Sequence, residues 1–145
     1  MIRAPGDRQH AHERPIAFRL PLRVYWEDTD AAGIVFYANY LKFFERARTE
    51  WLRSLGYEQE RLRAEHGIAF VVTDTSLSYR APARLDDLLE VSVTVVHRGQ
   101  ASLSVTQEAR RDDRLLAEGS IRIGCVELGT FRPRRLPNDI LQAIR

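Results

Sequence analysis

The sequence predicts an α+β domain in which an antiparallel β-sheet wraps around one long central α-helix. Two observations carry that expectation. A single broad apolar stripe at helical spacing occupies the first half of the chain, and the second half alternates apolar and polar residues between short polar turns. Strands joined by hairpins form an antiparallel sheet, and a helix with so wide an apolar face needs that sheet as cover. The 145 residues suffice for one such core, assigned to residues 18–145 behind an N-terminal arm of residues 1–17.

The elements follow in order. The chain opens on a charged, aperiodic stretch with Pro5 and Pro15, the signature of a flexible arm. Phe18 to Trp26 is apolar and aromatic enough for a first strand, and Pro21 places it at an edge. The polar run Glu27 to Gly33 is a turn. Next, Tyr40, Phe44, Ala47, Trp51 and Leu55 recur at spacings of three and four, widened by Leu41, Phe43 and Leu52. Asn39 is placed as N-cap, Arg53 complements the C-terminal dipole, and Gly56 stops the helix. A stripe this broad implies a helix enclosed on much of its circumference.

Glu58 to His66 predicts a shorter, more polar helix ended by Gly67. The remainder is β: an apolar run from Ile68 to Thr73, then Leu77 and Tyr79 among polar neighbours. Val91, Val93 and Val95 alternate with Ser92 and Thr94, and Leu103 and Val105 alternate with serines and Thr106. His97-Arg98-Gly99-Gln100 supplies the hairpin between those two runs. Leu115 to Val126 is the last strand, with Ile121, Ile123 and Cys125 on one face. A sheet of this kind leaves an open edge, so pairing with a second copy is expected.

Composition narrows the class. No stretch approaches the roughly 20 apolar residues of a membrane-spanning helix, and the polar N-terminus has no signal-peptide core. One cysteine, Cys125, makes no disulfide framework or cysteine-rich zinc site and fits a reducing, cytoplasmic setting. It is expected to be a small buried hydrophobe. A net charge of +2 is too small to argue for nucleic acid.

The segment from Tyr25 to Glu50, YWEDTDAAGIVFYANYLKFFERARTE, carries the chemistry. Its elements are Glu27-Asp28-Thr29-Asp30, Gly33, the apolar Ile34-Val35-Phe36, Tyr40 and the run Phe44 to Glu50. They resemble the signature of hotdog-fold thioesterases of the 4-hydroxybenzoyl-CoA type, and especially the Tol-Pal-associated acyl-CoA branch. The Tol-Pal branch commonly has histidine where this chain has Tyr37; the 4-hydroxybenzoyl-CoA enzymes have tyrosine. The resemblance, covering roughly Phe18 to Pro137, implies a hotdog fold, acyl-CoA as substrate, no metal or other cofactor, and a homo-oligomer, dimer or tetramer, with the acyl pocket at the subunit boundary. It also implies that Asp30 attacks the thioester or activates water, while the amide near Tyr37 polarises the carbonyl.

The residues support that chemistry independently. Thioester hydrolysis needs a nucleophile or base near the carbonyl carbon and donors aimed at the oxyanion. A helix N-terminus supplies unpaired amides and positive potential. Here an acidic turn leads through Gly33 straight into a buried helix, setting Asp30 beside the amides of Phe36, Tyr37 and Ala38. Gly33 admits a backbone conformation, or a close substrate approach, denied to other residues. Gly33, Val35, Phe36 and Tyr40 are the expected substrate contacts, with the core as the stronger alternative for Tyr40, as for Phe43, Phe44 and Trp51. Arg132 and Arg134, in Arg132-Pro133-Arg134-Arg135, suit the phosphates of coenzyme A; a solvated tail is the alternative.

Other readings stay open at this level. Asp28-x-Asp30-x-x-Gly33 superficially matches a calcium loop, but Ala32 occupies a ligand position and Asn39 stands where the bidentate glutamate belongs. Both aspartates could simply cap a turn. Glu45 is expected near the site, buried and hydrogen-bonded, either assisting or paired with an arginine. In function, the rivals are a non-catalytic acyl-CoA or acyl-carrier-protein binding module and a hydratase or dehydratase, the latter weakened because His10, His12, His66 and His97 all lie outside the motif.

Overall fold

The computed structural model describes residues 14–144. The first thirteen residues of the expected arm lie outside that range. Its last residues run beside the sheet, with the Ala17 amide donating to the Val93 carbonyl at 2.8 Å.

The α+β order is the expected one: β1 (Phe18–Arg23), α1 (Asn39–Ser54), α2 (Gln59–His66), β2 (Ile68–Tyr79), β3 (Leu88–Arg98), β4 (Ser102–Arg111) and β5 (Arg114–Glu127). All neighbouring strands are antiparallel, in the spatial order β1-β3-β4-β5-β2. β1 is an edge strand, which is where Pro21 can sit without breaking an interior ladder. β2 forms the other edge: among the described residues it pairs with β5 alone, and it is largely exposed from Thr73 onward.

Phe43, Phe44 and Ala47 of α1 are fully buried, together with Val91, Val93 and Val105 of the sheet. The fit beneath the helix is close. A Cβ on Gly119 of β5 would stand 3.0 Å from Phe44 Cε2 and 2.8 Å from Leu77 Cδ2.

Four expectations are corrected. The first strand stops at Arg23, and Trp26–Asp28 is a single 3-10 turn that leaves Trp26 exposed. α1 is not enclosed: Leu41 and Glu45 are exposed, because one sheet layer covers only one side of a helix. Asn39 is not the N-cap but the first helical residue, preceded by Ala38, which offers no side-chain cap. Finally, a further helix, α3 (Asn138–Ala143), was not anticipated. Ile140 and Ile144, four apart on it and just beyond it, are buried, so the C-terminal region past Pro137 belongs to the core. Six residues are too few to show periodicity.

Candidate active site

The two aspartates of the acidic turn have different environments. Asp28 is buried and saturated. Its Oδ2 accepts the Tyr25 amide at 2.8 Å, its Oδ1 accepts Asn39 Nδ2 at 2.9 Å, and its carbonyl accepts the Phe36 amide at 3.0 Å. This carboxylate therefore fastens the turn to the first residue of α1. Asp30 is exposed; its Oδ1 accepts the Ala32 amide at 2.8 Å, and no other donor among the described residues reaches its carboxylate. One aspartate is built into the scaffold, and the other keeps an oxygen free.

Asp30 sits at the tip of a tight hairpin. Its amide donates to the Ile34 carbonyl at 2.9 Å, and the Gly33 amide returns to the Asp30 carbonyl at 3.0 Å. Thr29 pairs with Val35 across the same hairpin. Gly33 closes it at φ +77°, in the left-handed region, with nothing within 4 Å of an added Cβ. Glycine is required there for conformation, as in the three-residue hairpins that end in a left-handed residue, and not for space. The returning strand is held from outside, since the Val35 amide donates to the Ala83 carbonyl at 2.8 Å and Ile34 pairs with Arg84.

Directly after this hairpin the chain enters α1. Among the described residues no acceptor is bonded to the Tyr37 or Ala38 amide, whereas the Phe36 amide is used by Asp28. Of the three amides expected beside Asp30, that of Phe36 is thus already engaged. Tyr79, at the end of β2, donates its hydroxyl to the Tyr37 carbonyl at 2.9 Å. Its ring meets Tyr37 edge-on with centroids 6.5 Å apart and lies 5.7 Å from the Tyr40 ring.

The remaining expected site residues fall in different places. Val35 and Tyr40 are buried, at 5% and 3% exposure, and act as packing. Burial pushes the Tyr40 hydroxyl up, against an opposing hydrogen bond from the Ala83 backbone. Phe36 and Tyr37 are exposed aromatics in tilted contact, centroids 4.6 Å apart. Arg132 and Arg134 are exposed at the other end of the sheet, where Arg134 Nη1 donates to the His66 carbonyl at 2.8 Å. Twelve-residue β2 separates that end from Tyr79, a span of about 36 Å. His66 and His97 lie at the Arg134 end, so neither approaches the hairpin. Glu45 is exposed and, among the described residues, unbonded, in contrast to its expected burial. Cys125 is buried, and burial pushes its thiol up against the influence of Arg134, as suits a packing residue.

Asp30 lines none of five clefts of about 170 to 590 Å3 on the single chain. Exposed aromatics flank the hairpin in sequence instead, Tyr25 and Trp26 before it and Phe36 and Tyr37 after it, with Tyr79 bonded to Tyr37. Sequence reasoning had no signal for Tyr79 as part of this group, because it is 42 residues away from Tyr37. Asn39, expected as an N-cap, instead donates its side-chain amide to Asp28.

A five-stranded antiparallel sheet packed on one long helix, with an acidic hairpin leading into that helix, defines a hotdog-type α+β domain. A family model described as thioesterase-like superfamily matches residues 24–144. The chain is 42% identical over 126 residues to the acyl-CoA thioesterase YbgC of Haemophilus influenzae, covering 87% of this chain and 93% of that one. It is 45% identical over 125 residues to the acyl-CoA thioester hydrolase YbgC of Escherichia coli, covering 86% and 92%. Among solved structures, the 1,4-dihydroxy-2-naphthoyl-CoA thioesterase of Synechocystis superposes with a TM-score of 0.82 at 26% identity, over 88% of this chain and 94% of that one. This chain belongs to the thioesterase-like superfamily.

Proposed function

We propose that this protein hydrolyses acyl-CoA thioesters to a carboxylic acid and free coenzyme A, with Asp30 as the reacting carboxylate. Relatives with that activity in their names align over most of both chains. The observation that carries the assignment of Asp30 is the contrast with Asp28: only Asp30 retains an unoccupied carboxylate oxygen, on the hairpin that leads in sequence directly into a helix tip with two amides unbonded among the described residues.

Two routes use the same atoms. As nucleophile, Asp30 forms a bond from carboxylate oxygen to the carbonyl carbon, the carbon–sulfur bond breaks, and the thiolate leaves and is protonated; water then cleaves the mixed anhydride. As general base, Asp30 takes a proton from water, whose oxygen attacks the carbonyl directly. In both, the Tyr37 and Ala38 amides stabilise the oxyanion. Neither route uses a metal or other cofactor. Single-turnover hydrolysis in heavy-oxygen water tests for the first, since only that route can place label in the Asp30 carboxylate, by attack of water on the aspartyl carbonyl of the anhydride.

The exposed aromatic rim and the free edge of β2 support a homo-oligomer, dimer or tetramer, completing the site. Antiparallel self-pairing of β2 about its centre, near Thr73 and Asp74, would set Ile68 opposite Tyr79 of the partner subunit. That would also bring one copy's Arg132 and Arg134 toward the other copy's Asp30 hairpin, as contacts for coenzyme A phosphates. Gly33, Val35, Phe36 and Tyr40 shape the site from within the same chain. We place the enzyme in the cytoplasm, where a lone thiol stays reduced.

Asp30→Asn tests the assignment. Asparagine keeps the Oδ1 acceptor for the Ala32 amide, so the hairpin survives, while thiol release from acyl-CoA falls by at least about a hundredfold. An Asn variant with wild-type turnover overturns the mechanism. Saturable binding of thioesters by the wild-type protein without thiol release would favour the binding-module reading instead.

A further inference from the structure

A cavity of about 220 Å3 opens between α1 and the sheet, with apolar walls from Trp51, Phe70, Leu103 and Ile123 and with Glu45 and Arg48 among its polar lining. Arg48 is half-buried. Its Nη1 donates to Gln107 Oε1 at 2.9 Å, and no carboxylate among the described residues lies within ion-pairing distance. Gln107 is itself fully buried and fixed, donating through Nε2 to the Phe44 and Ser92 carbonyls at 3.0 and 3.3 Å. A guanidinium carries five N–H donors, so most of those on Arg48 are left for something else. Burial pushes its pKa down, with Glu45 opposing, as expected of a cation with incomplete compensation.

We infer that Arg48 reads an oxygen acceptor at the far end of the acyl group, making this cavity selective for acyl chains that end in a carboxylate or hydroxyl. The inference deepens the hydrolase reading and rests on it. Pairing of β2 edges would turn Phe70 of one copy toward Leu77 of the partner subunit, and thus the cavity toward the other copy's reacting centre. The size agrees: an apolar cavity of about 150 Å3 holds a six-membered ring, so 220 Å3 accommodates a six-carbon chain with a terminal polar group. A plain alkyl terminus would bury the Arg48 donors without partners, whereas an oxygen engages them through a charge-assisted hydrogen bond.

The test is thiol release from three esters of equal chain length: hexanoyl-CoA, ω-hydroxyhexanoyl-CoA and adipoyl-CoA. The wild-type protein is expected to prefer at least one oxygenated ester over hexanoyl-CoA by about tenfold in kcat/KM. Preference for adipoyl-CoA alone identifies the carboxylate as the recognised group, and preference for the ω-hydroxy ester alone identifies the hydroxyl. In Arg48→Met the ratio falls to near one, whatever the absolute rates. Arg48→Gln, which keeps a polar head without charge, must lower it too and guards against a poorly folded Met variant. Equal or better use of hexanoyl-CoA by the wild type, or a preference that survives both substitutions, overturns the inference and leaves the hydrolase reading standing. Failure to hydrolyse any of the three removes both.

Discussion

The Tyr79 hydroxyl donates to the Tyr37 carbonyl at 2.9 Å, tying the end of β2 to the tip of α1. That carbonyl shares one planar peptide with the Ala38 amide, so holding the oxygen also fixes the direction of an unoccupied N–H. Partial desolvation, with Tyr37 nearby, pushes the Tyr79 hydroxyl up from a range in which it is already protonated at neutral pH. Tyr79 is therefore a positioning residue for the proposed oxyanion site.

Tyr79→Phe keeps the ring contacts and removes only the donor. It is expected to lower kcat roughly tenfold, less than the hundredfold or more lost when an oxyanion donor is deleted outright. KM and melting temperature should stay close to wild type. Steady-state kinetics with a thermal melt check this; an unchanged kcat means the peptide is held without the hydroxyl.

Asp28→Asn should behave differently from Asp30→Asn. Asp28 accepts from two donors, on separate oxygens, and an amide would turn an NH2 group against one of them. A buried bond lost in this way costs about 1–3 kcal/mol of stability. Denaturant unfolding is expected to show that loss for Asp28→Asn and little change for Asp30→Asn. Equal stability losses would contradict the division of labour between the two carboxylates.

Gly119 supports the helix through what it lacks. An added methyl would press on Phe44 and on Leu77, and also lie 3.2 Å from the Ser76 carbonyl. Gly119→Ala is expected to destabilise by about 1–3 kcal/mol, the usual cost of overpacking. At Gly33 the constraint is torsional, so Gly33→Asn should cost less than Gly33→Val, asparagine being at home in the left-handed region. Melting temperatures of the three variants decide both points.

Acid sensitivity should centre on Asp87. Burial opposes its ionisation, but hydrogen bonds from the Arg84 amide at 2.9 Å and from Arg111 Nη1 at 2.7 Å prevail and hold the carboxyl below its usual range. A lowered folded-state pKa means the unfolded chain binds the proton first as pH falls. The Asp87 contribution is thus complete above the ordinary carboxylate range, near pH ~4, and is lost as pH drops through the folded value. The stability gap between wild type and Asp87→Asn should be constant near neutrality and narrow in acid. This matters for the site because the Ala83–Asp87 loop carries Val35 and Ile34 on its backbone.

The order and type of the long elements were legible in residue spacing, since periods of two and near four report which side of a strand or helix is buried. So was the acidic turn, because its aspartates, its glycine and the following helix are contiguous; that it is a hairpin closed by a left-handed Gly33 came from the tertiary structure. Tertiary structure decided the rest. Only packing shows that Asn39 turns toward Asp28, that Tyr79 reaches Tyr37, and that Arg48 of α1 is braced by a buried Gln107 from β4. These are contacts between distant segments, and local spacing carries no information about which partner a polar group will meet. The same holds for burial: Leu41 and Glu45 keep their helical phase, but one sheet layer covers one face, and solvent keeps the other.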